Sequence, residues 1–159
     1  MIPDMIGLKA VQARSVNSDI DRDMLDWSQI EELLRAGFEI GSHTLRHPDL
    51  TRISKTELEC ELGQARQNLE QKLQVPVETF AYPYGRLNQA VQAAASAHYR
   101  RACTTRLGRN TLDQDPMKLR RVDVHFLRKP AVFQMLCDGK LEAYLNIRHY
   151  LRELKQLVT

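Results

Sequence analysis

Between Leu25 and Phe126 the apolar residues keep changing period, and that alternation constrains the fold more than any other feature of the chain. LDWSQIEELLRAG offers Asp26 or Ser28 as an N-cap, Ile30, Leu33 and Leu34 on one side and Gly37 as a stop, which predicts a short amphipathic helix. Phe38 to Ile40 is a brief β-favouring run ending at Gly41, the pattern of a strand emptying into a loop. At Ser54, S-K-T-E forms a capping box, and Leu58, Leu62, Ala65, Leu69 and Leu73 follow at helical spacing to about residue 74. That face is expected inside and the Glu/Gln/Arg face in water. Thr79 to Ala81 predicts a strand before the turn Pro83-Tyr84-Gly85, and Asn88 caps a third helix through QAVQAAASAHY. Arg101 to Thr105 and Leu119 to Phe126 predict two more strands around a polar loop, and from about Ala131 to Leu157 an apolar stripe including Leu141, Tyr144, Leu145, Tyr150 and Leu151 predicts helix.

Helix and strand in alternation define an α/β protein whose parallel strands are joined by crossover helices. A chain of 159 residues is expected to build one domain, residues 1–159, around one core. In such folds chemistry gathers at the C-terminal ends of the strands. GSHTLRHP, Gly41 to Pro48, and FAYPYG, Phe80 to Gly85, both fall there, so two strands aim their motifs at one mouth.

His43 and His47 are four apart, which on a helix places both rings on one face. Pro48 disfavours helix at His47, so the pair belongs to a loop or to a single turn. Neutral imidazoles suit zinc and related ions, but a catalytic metal takes a third protein ligand and keeps an open position. Thr44 follows His43 where a zinc protease has its glutamate, which removes that reading. The spacing alone leaves two possibilities, a metal pair or polar loop residues bonded to backbone. The turn at Tyr84 is similarly open: a main-chain N–H aimed at a developing oxyanion, or a tight turn with packed aromatics.

Composition narrows the remaining classes. Cys60, Cys103 and Cys137 are odd in number and form no CxxC, so neither a disulfide framework nor a cysteine zinc site is expected, and they read as small core residues. No apolar run is long enough to cross a bilayer and nothing marks MIPDMIGLKAVQARS as a signal peptide, so the chain as written is expected in the cytoplasm without a membrane partner. The net charge of +3 is uneven: residues 100–129 carry nine Lys/Arg against three Asp/Glu, while residues 1–99 carry ten against fourteen. A basic segment can favour an anionic polymer, but no nucleic-acid-binding motif accompanies it, and nucleic acid is the least expected partner.

GSHTLRHPDL resembles the second motif of the NodB-type polysaccharide deacetylases, whose histidine pair binds the catalytic metal, and FAYPYG resembles their third. LDWSQIEELLRAGFEIGSHTLRHPDLT, LEQKLQVPVETFAYPYG and HYRRACTTRLG are similar to successive pieces of the same family, so the likeness covers about Leu25 to Arg121. The resemblance implies an irregular (β/α) barrel that removes acetyl groups from an acetylated amino-sugar glycan with the help of a divalent metal, zinc above all. It implies that His43 and His47 hold the metal and that the Tyr84 N–H helps the oxyanion. By the same resemblance Arg121 orients a carboxylate, and His125 in VDVHF is the nearest counterpart of the histidine that protonates the leaving amine.

The family's first motif, an Asp-Asp pair giving the general base and the third metal ligand, has no counterpart among Asp4, Asp19, Asp21, Asp23 and Asp26, none adjacent to another. The expectation is therefore a barrel incomplete at its N-terminus, with turnover in doubt and homo-oligomerisation or the C-terminal helix covering the gap. The alternative function is a non-catalytic glycan-binding or interaction module that keeps the pocket.

Overall fold

In the computed structural model of the chain, residues 25–122 and 127–157 are described. Helix α1 (Trp27–Arg35) begins at Asp26, whose side chain accepts from the Gln29 N–H while the Gln29 side chain reaches back. Of the two expected caps it is Asp26 that acts. Helix α2 (Lys55–Glu59) starts at Ser54 with the expected capping box. It continues through a π-helical turn, Cys60–Gln64, into α3 (Ala65–Leu73), which ends at a left-handed Gln74. Asn88 caps α4 (Gln89–His98) by accepting from the Val91 N–H.

Strands β1 (Thr79–Ala81), β2 (Arg101–Leu107) and β3 (Leu119–Arg121) form a parallel sheet in that order. The strand expected at Phe38–Ile40 is not formed; the pairing moves to Ser42, which bridges Phe80 in parallel. The Ser42 N–H donates to Thr79 O and the Ala81 N–H to Ser42 O, each at 2.9 Å. Gly41 makes this approach possible, since a Cβ there would lie 2.7 Å from Thr79 Oγ1. The described part of the last expected strand is Leu119–Arg121, and residues 123–126 lie outside the described residues.

The main core lies between one face of the sheet and the helices. Leu58 and Leu62, with Val91 and Ala95 of α4, meet Phe80, Tyr82, Tyr99 and Ala102. Each large apolar side chain so buried contributes about 1.5–3 kcal/mol. A second cluster of Leu107, Val132, Leu141 and Leu145 seats α5 (Pro130–Cys137) and α6 (Leu141–Leu157) against β2. The stripe expected along α6 is buried only in part: Leu141 and Leu145 are inside, while Tyr150 and Leu151 are exposed. Cys103 is buried as expected, but Cys60 and Cys137 are exposed. The basic segment is partly neutralised, Arg100 pairing with Glu78, Arg101 with Glu39 and Lys118 with Asp115. Among the described residues no helix is long and apolar enough to cross a membrane.

Candidate functional site

The histidine loop leaves β1's neighbour at Ser42 and turns by unusual backbone geometry. Thr44 and His47 take φ of +71° and +58°, so the segment is a loop and not a helical turn. Left-handed backbone at a β-branched threonine is a genuine outlier that costs of order 1–3 kcal/mol. Hydrogen bonds within the loop and from distant elements offset it. The Thr44 hydroxyl oxygen accepts from the His47 N–H at 3.0 Å. Glu61 Oε2 accepts from the N–H groups of Leu45 (2.9 Å) and Arg46 (3.0 Å), and its Oε1 from Arg46 Nε at 2.7 Å. The Tyr99 hydroxyl bridges Leu62 O at 2.7 Å and Ser42 Oγ at 2.9 Å, and burial pushes its pKa up to about 12.

The two motifs converge. The His43 Nδ1–H donates to the Ala81 carbonyl at 2.7 Å, which joins the histidine loop to the end of β1. The His43 and His47 ring centroids are 4.7 Å apart and edge-on, and the Tyr84 ring lies 4.6 Å beyond His47. Tyr84 is held by its own turn, Pro83–Gly85, where both Tyr84 (φ +57°) and Gly85 (φ +68°) are left-handed. A Cβ on Gly85 would strike Thr105 Oγ1 and fall 2.7 Å from Thr105 N, so this turn is pressed against β2. The turn's hydrogen bonds come from the N–H groups of Gly85 and Arg86, leaving that of Tyr84 outside them. Arg86 closes the rim: it pairs with Asp49 at 2.6 Å and stands 5.6 Å from the exposed Tyr84 ring.

A carbonyl only accepts, so Nδ1 of His43 carries the proton and Nε2 the lone pair in the neutral ring. Burial holds the His43 imidazole below its usual pKa, against the pull of the Ala81 bond, and the charges of His47 and Arg121 lower it further. Arg121 thus shares the mouth, its charge reaching both His43 and Cys103. Among the described residues it forms no ion pair. His125 lies outside the described residues. His98 is partly buried on α4 and sits 2.8 Å from Glu59. Two supporting residues escaped the sequence reading, Glu61 and Tyr99. Glu61 was placed on the wet face yet is 1% exposed; its position three after Leu58 and four before Ala65 was the available signal.

The donor set fits part of a zinc site. One imidazole is fixed through Nδ1–H to a backbone carbonyl, the outer bond that metal-ligating histidines usually make, and a second stands beside it. Among the described residues no third His, Cys, Asp or Glu completes a metal-binding group. Among the described residues the fit is therefore two nitrogen donors.

A parallel sheet backed by helices, with a histidine pair and a left-handed Pro-Tyr-Gly turn at the C-terminal ends of its strands, is an α/β scaffold of the (β/α)-barrel kind. The sequence model of the polysaccharide deacetylase family matches residues 5–102, and the chain belongs to that family. The match begins before Leu25, where the motif-based likeness starts, and ends within β2. The Bacillus subtilis protein YxkH, named as a polysaccharide deacetylase, is 27% identical over 119 residues, 74% of this chain and 43% of that protein. Chitin deacetylase 1 of Cryptococcus neoformans is 36% identical over 61 residues, 38% of this chain and 13% of that one. The crystal structure of a polysaccharide deacetylase from Bacillus cereus superposes with a TM-score of 0.59 at 31% identity, covering 65% of this chain and 33% of its own. The chain spans less than half the length of each of these relatives.

Proposed function

We propose that this chain is a deacetylase of acetylated amino-sugar polysaccharides that works with a divalent metal, zinc by its donor set, held by His43 and His47. The observation that carries the reading is the fixed His43 ring, bonded through Nδ1 to Ala81 O with the His47 ring 4.7 Å away. A bound divalent ion supplies Lewis acidity to an acetyl carbonyl. Around that position three groups of the chain act. The Tyr84 N–H, outside its turn's own bonds, donates to the carbonyl oxygen as it gains charge. Arg121 adds positive charge at the mouth and orients a carboxylate from outside the described residues, which takes a proton from the water that attacks the carbonyl, and His125 gives a proton to the departing amine. A relative named as a chitin deacetylase supports an amino-sugar polymer as the substrate class. The test is acetate release from acetylated chito-oligosaccharides: turnover by the wild type that is lost in His43→Ala supports the reading, and turnover unchanged by that substitution refutes it.

A second reading rests on the Tyr84 ring, which is 57% exposed beside Arg86 and offers a sugar a stacking face without any ion. A non-catalytic glycan-binding module would keep its oligosaccharide affinity after chelation. We also propose self-association, because among the described residues the sheet ends in β3 on one side and the single Ser42 bridge on the other, and open edges invite pairing. Sedimentation that shows a monomer at every concentration contradicts it.

A further inference from the structure

The turn of helix that faces the histidine loop is not α-helical, and its middle residues, Glu61, Leu62 and Gly63, are buried. Between α2 and α3 the backbone widens to a π turn over Cys60–Gln64, and such turns are frequent at functional sites. The Glu61 side chain on this turn is buried, and its described hydrogen bonds all go to the segment between the two histidines: both backbone N–H groups of Leu45 and Arg46, and the Arg46 guanidinium. A carboxylate goes inside only when its lone pairs are met, and here the loop meets them. The next residue, Leu62, offers its carbonyl to the Tyr99 hydroxyl, which also reaches Ser42, the residue before His43. One π turn thus braces the loop on both sides of His43.

The loop needs that brace. Leu45 and Arg46 lie between two left-handed residues, Thr44 and His47. If their N–H groups lose their acceptor, the strained backbone can relax toward negative φ, and His47 then moves relative to a His43 that stays bonded to Ala81.

We propose that Glu61 is a positioning residue: it sets the separation and tilt of the two imidazoles by pinning the backbone between them. Its effect on metal affinity rests on the reading of His43 and His47 as a ligand pair; its effect on loop geometry does not.

The experiment uses the whole chain with Glu61→Ala and Glu61→Gln, measuring amide exchange at Leu45 and Arg46 without metal and then titrating Co²⁺ by visible absorption. In Glu61→Ala the two amides are expected to exchange at least about tenfold faster. The Co²⁺ affinity is expected to fall about 10- to 100-fold with a shifted spectrum. In Glu61→Gln the amide oxygen replaces Oε2 as acceptor of both N–H groups, so protection is kept and affinity stays within about threefold. A Glu61→Ala variant with wild-type protection and spectrum overturns the proposal, as does a Gln variant impaired as badly as Ala. Should Glu61→Ala not fold, the wild type decides: Leu45 and Arg46 amides exchanging as fast as open loop amides refute it. A wild type whose Co²⁺ uptake is absent or indifferent to His43→Ala defeats the ligand-pair reading, and the exchange result still decides the role of Glu61.

Discussion

Replacing Tyr99 and Tyr82 in turn by Phe makes the same chemical change at two places in one core, and the structure gives the two substitutions opposite signs. Both side chains pack on Phe80, Tyr99 stacked at 4.9 Å and Tyr82 edge-on at 5.1 Å, and both are at most 3% exposed. The Tyr99 hydroxyl serves Leu62 O and Ser42 Oγ, so removing it leaves both without that partner at a cost of about 1–3 kcal/mol. The Tyr82 hydroxyl is buried and has no hydrogen-bond partner among the described residues. Removing it takes away a desolvated group and is expected to stabilise by roughly 1–2 kcal/mol. The two variants should therefore differ by about 2–5 kcal/mol, which at about 2–4 °C per kcal/mol separates their Tm values by roughly 4–20 °C. Urea and thermal unfolding of the three proteins measure this. A Tyr82→Phe protein destabilised as much as Tyr99→Phe refutes the reasoning.

Gly85→Ala is expected to lose about 1–3 kcal/mol more than Gly37→Ala in the same unfolding assay: both glycines have positive φ, but a Cβ at Gly37 meets nothing within 4 Å while one at Gly85 strikes the backbone of Thr105. Equal losses would show that the turn below Tyr84 is not pressed on β2. The Val77 N–H, and then Arg66, hold the Glu70 carboxyl below its ordinary value of 4.5. The unfolded chain then binds more protons than the folded one as pH falls below that value, so stability drops on acidification and Glu70→Gln flattens that limb of a stability–pH profile. A profile unchanged by the substitution contradicts it.

Much of this fold was legible because its signals are local. Ser54 with Glu57, and Asn88 before QAVQ, mark helix starts through bonds made within three residues, and both formed as expected. The convergence of the histidine loop with the Pro-Tyr-Gly turn was legible from a rule about strand ends. What was not legible depends on partners far along the chain. Phe38–Ile40 has strand-like residues, but where the chain meets β1 is set by the contact of Gly41 with Thr79. Glu61 looked like one more solvated helix charge, and only the loop sixteen positions earlier makes it a buried acceptor. The left-handed Thr44 contradicts that residue's own preference and is held by tertiary bonds, so no local pattern announces it.

The central claim is that the loop from Gly41 to Pro48 holds a metal through both of its histidines. Titration of metal-free protein with Zn²⁺, followed by calorimetry, tests it most directly. The account predicts one site per chain in the wild type, weakened at least about tenfold in His43→Ala and in His47→Ala alike while both variants stay folded. Zinc binding that neither substitution changes would contradict it.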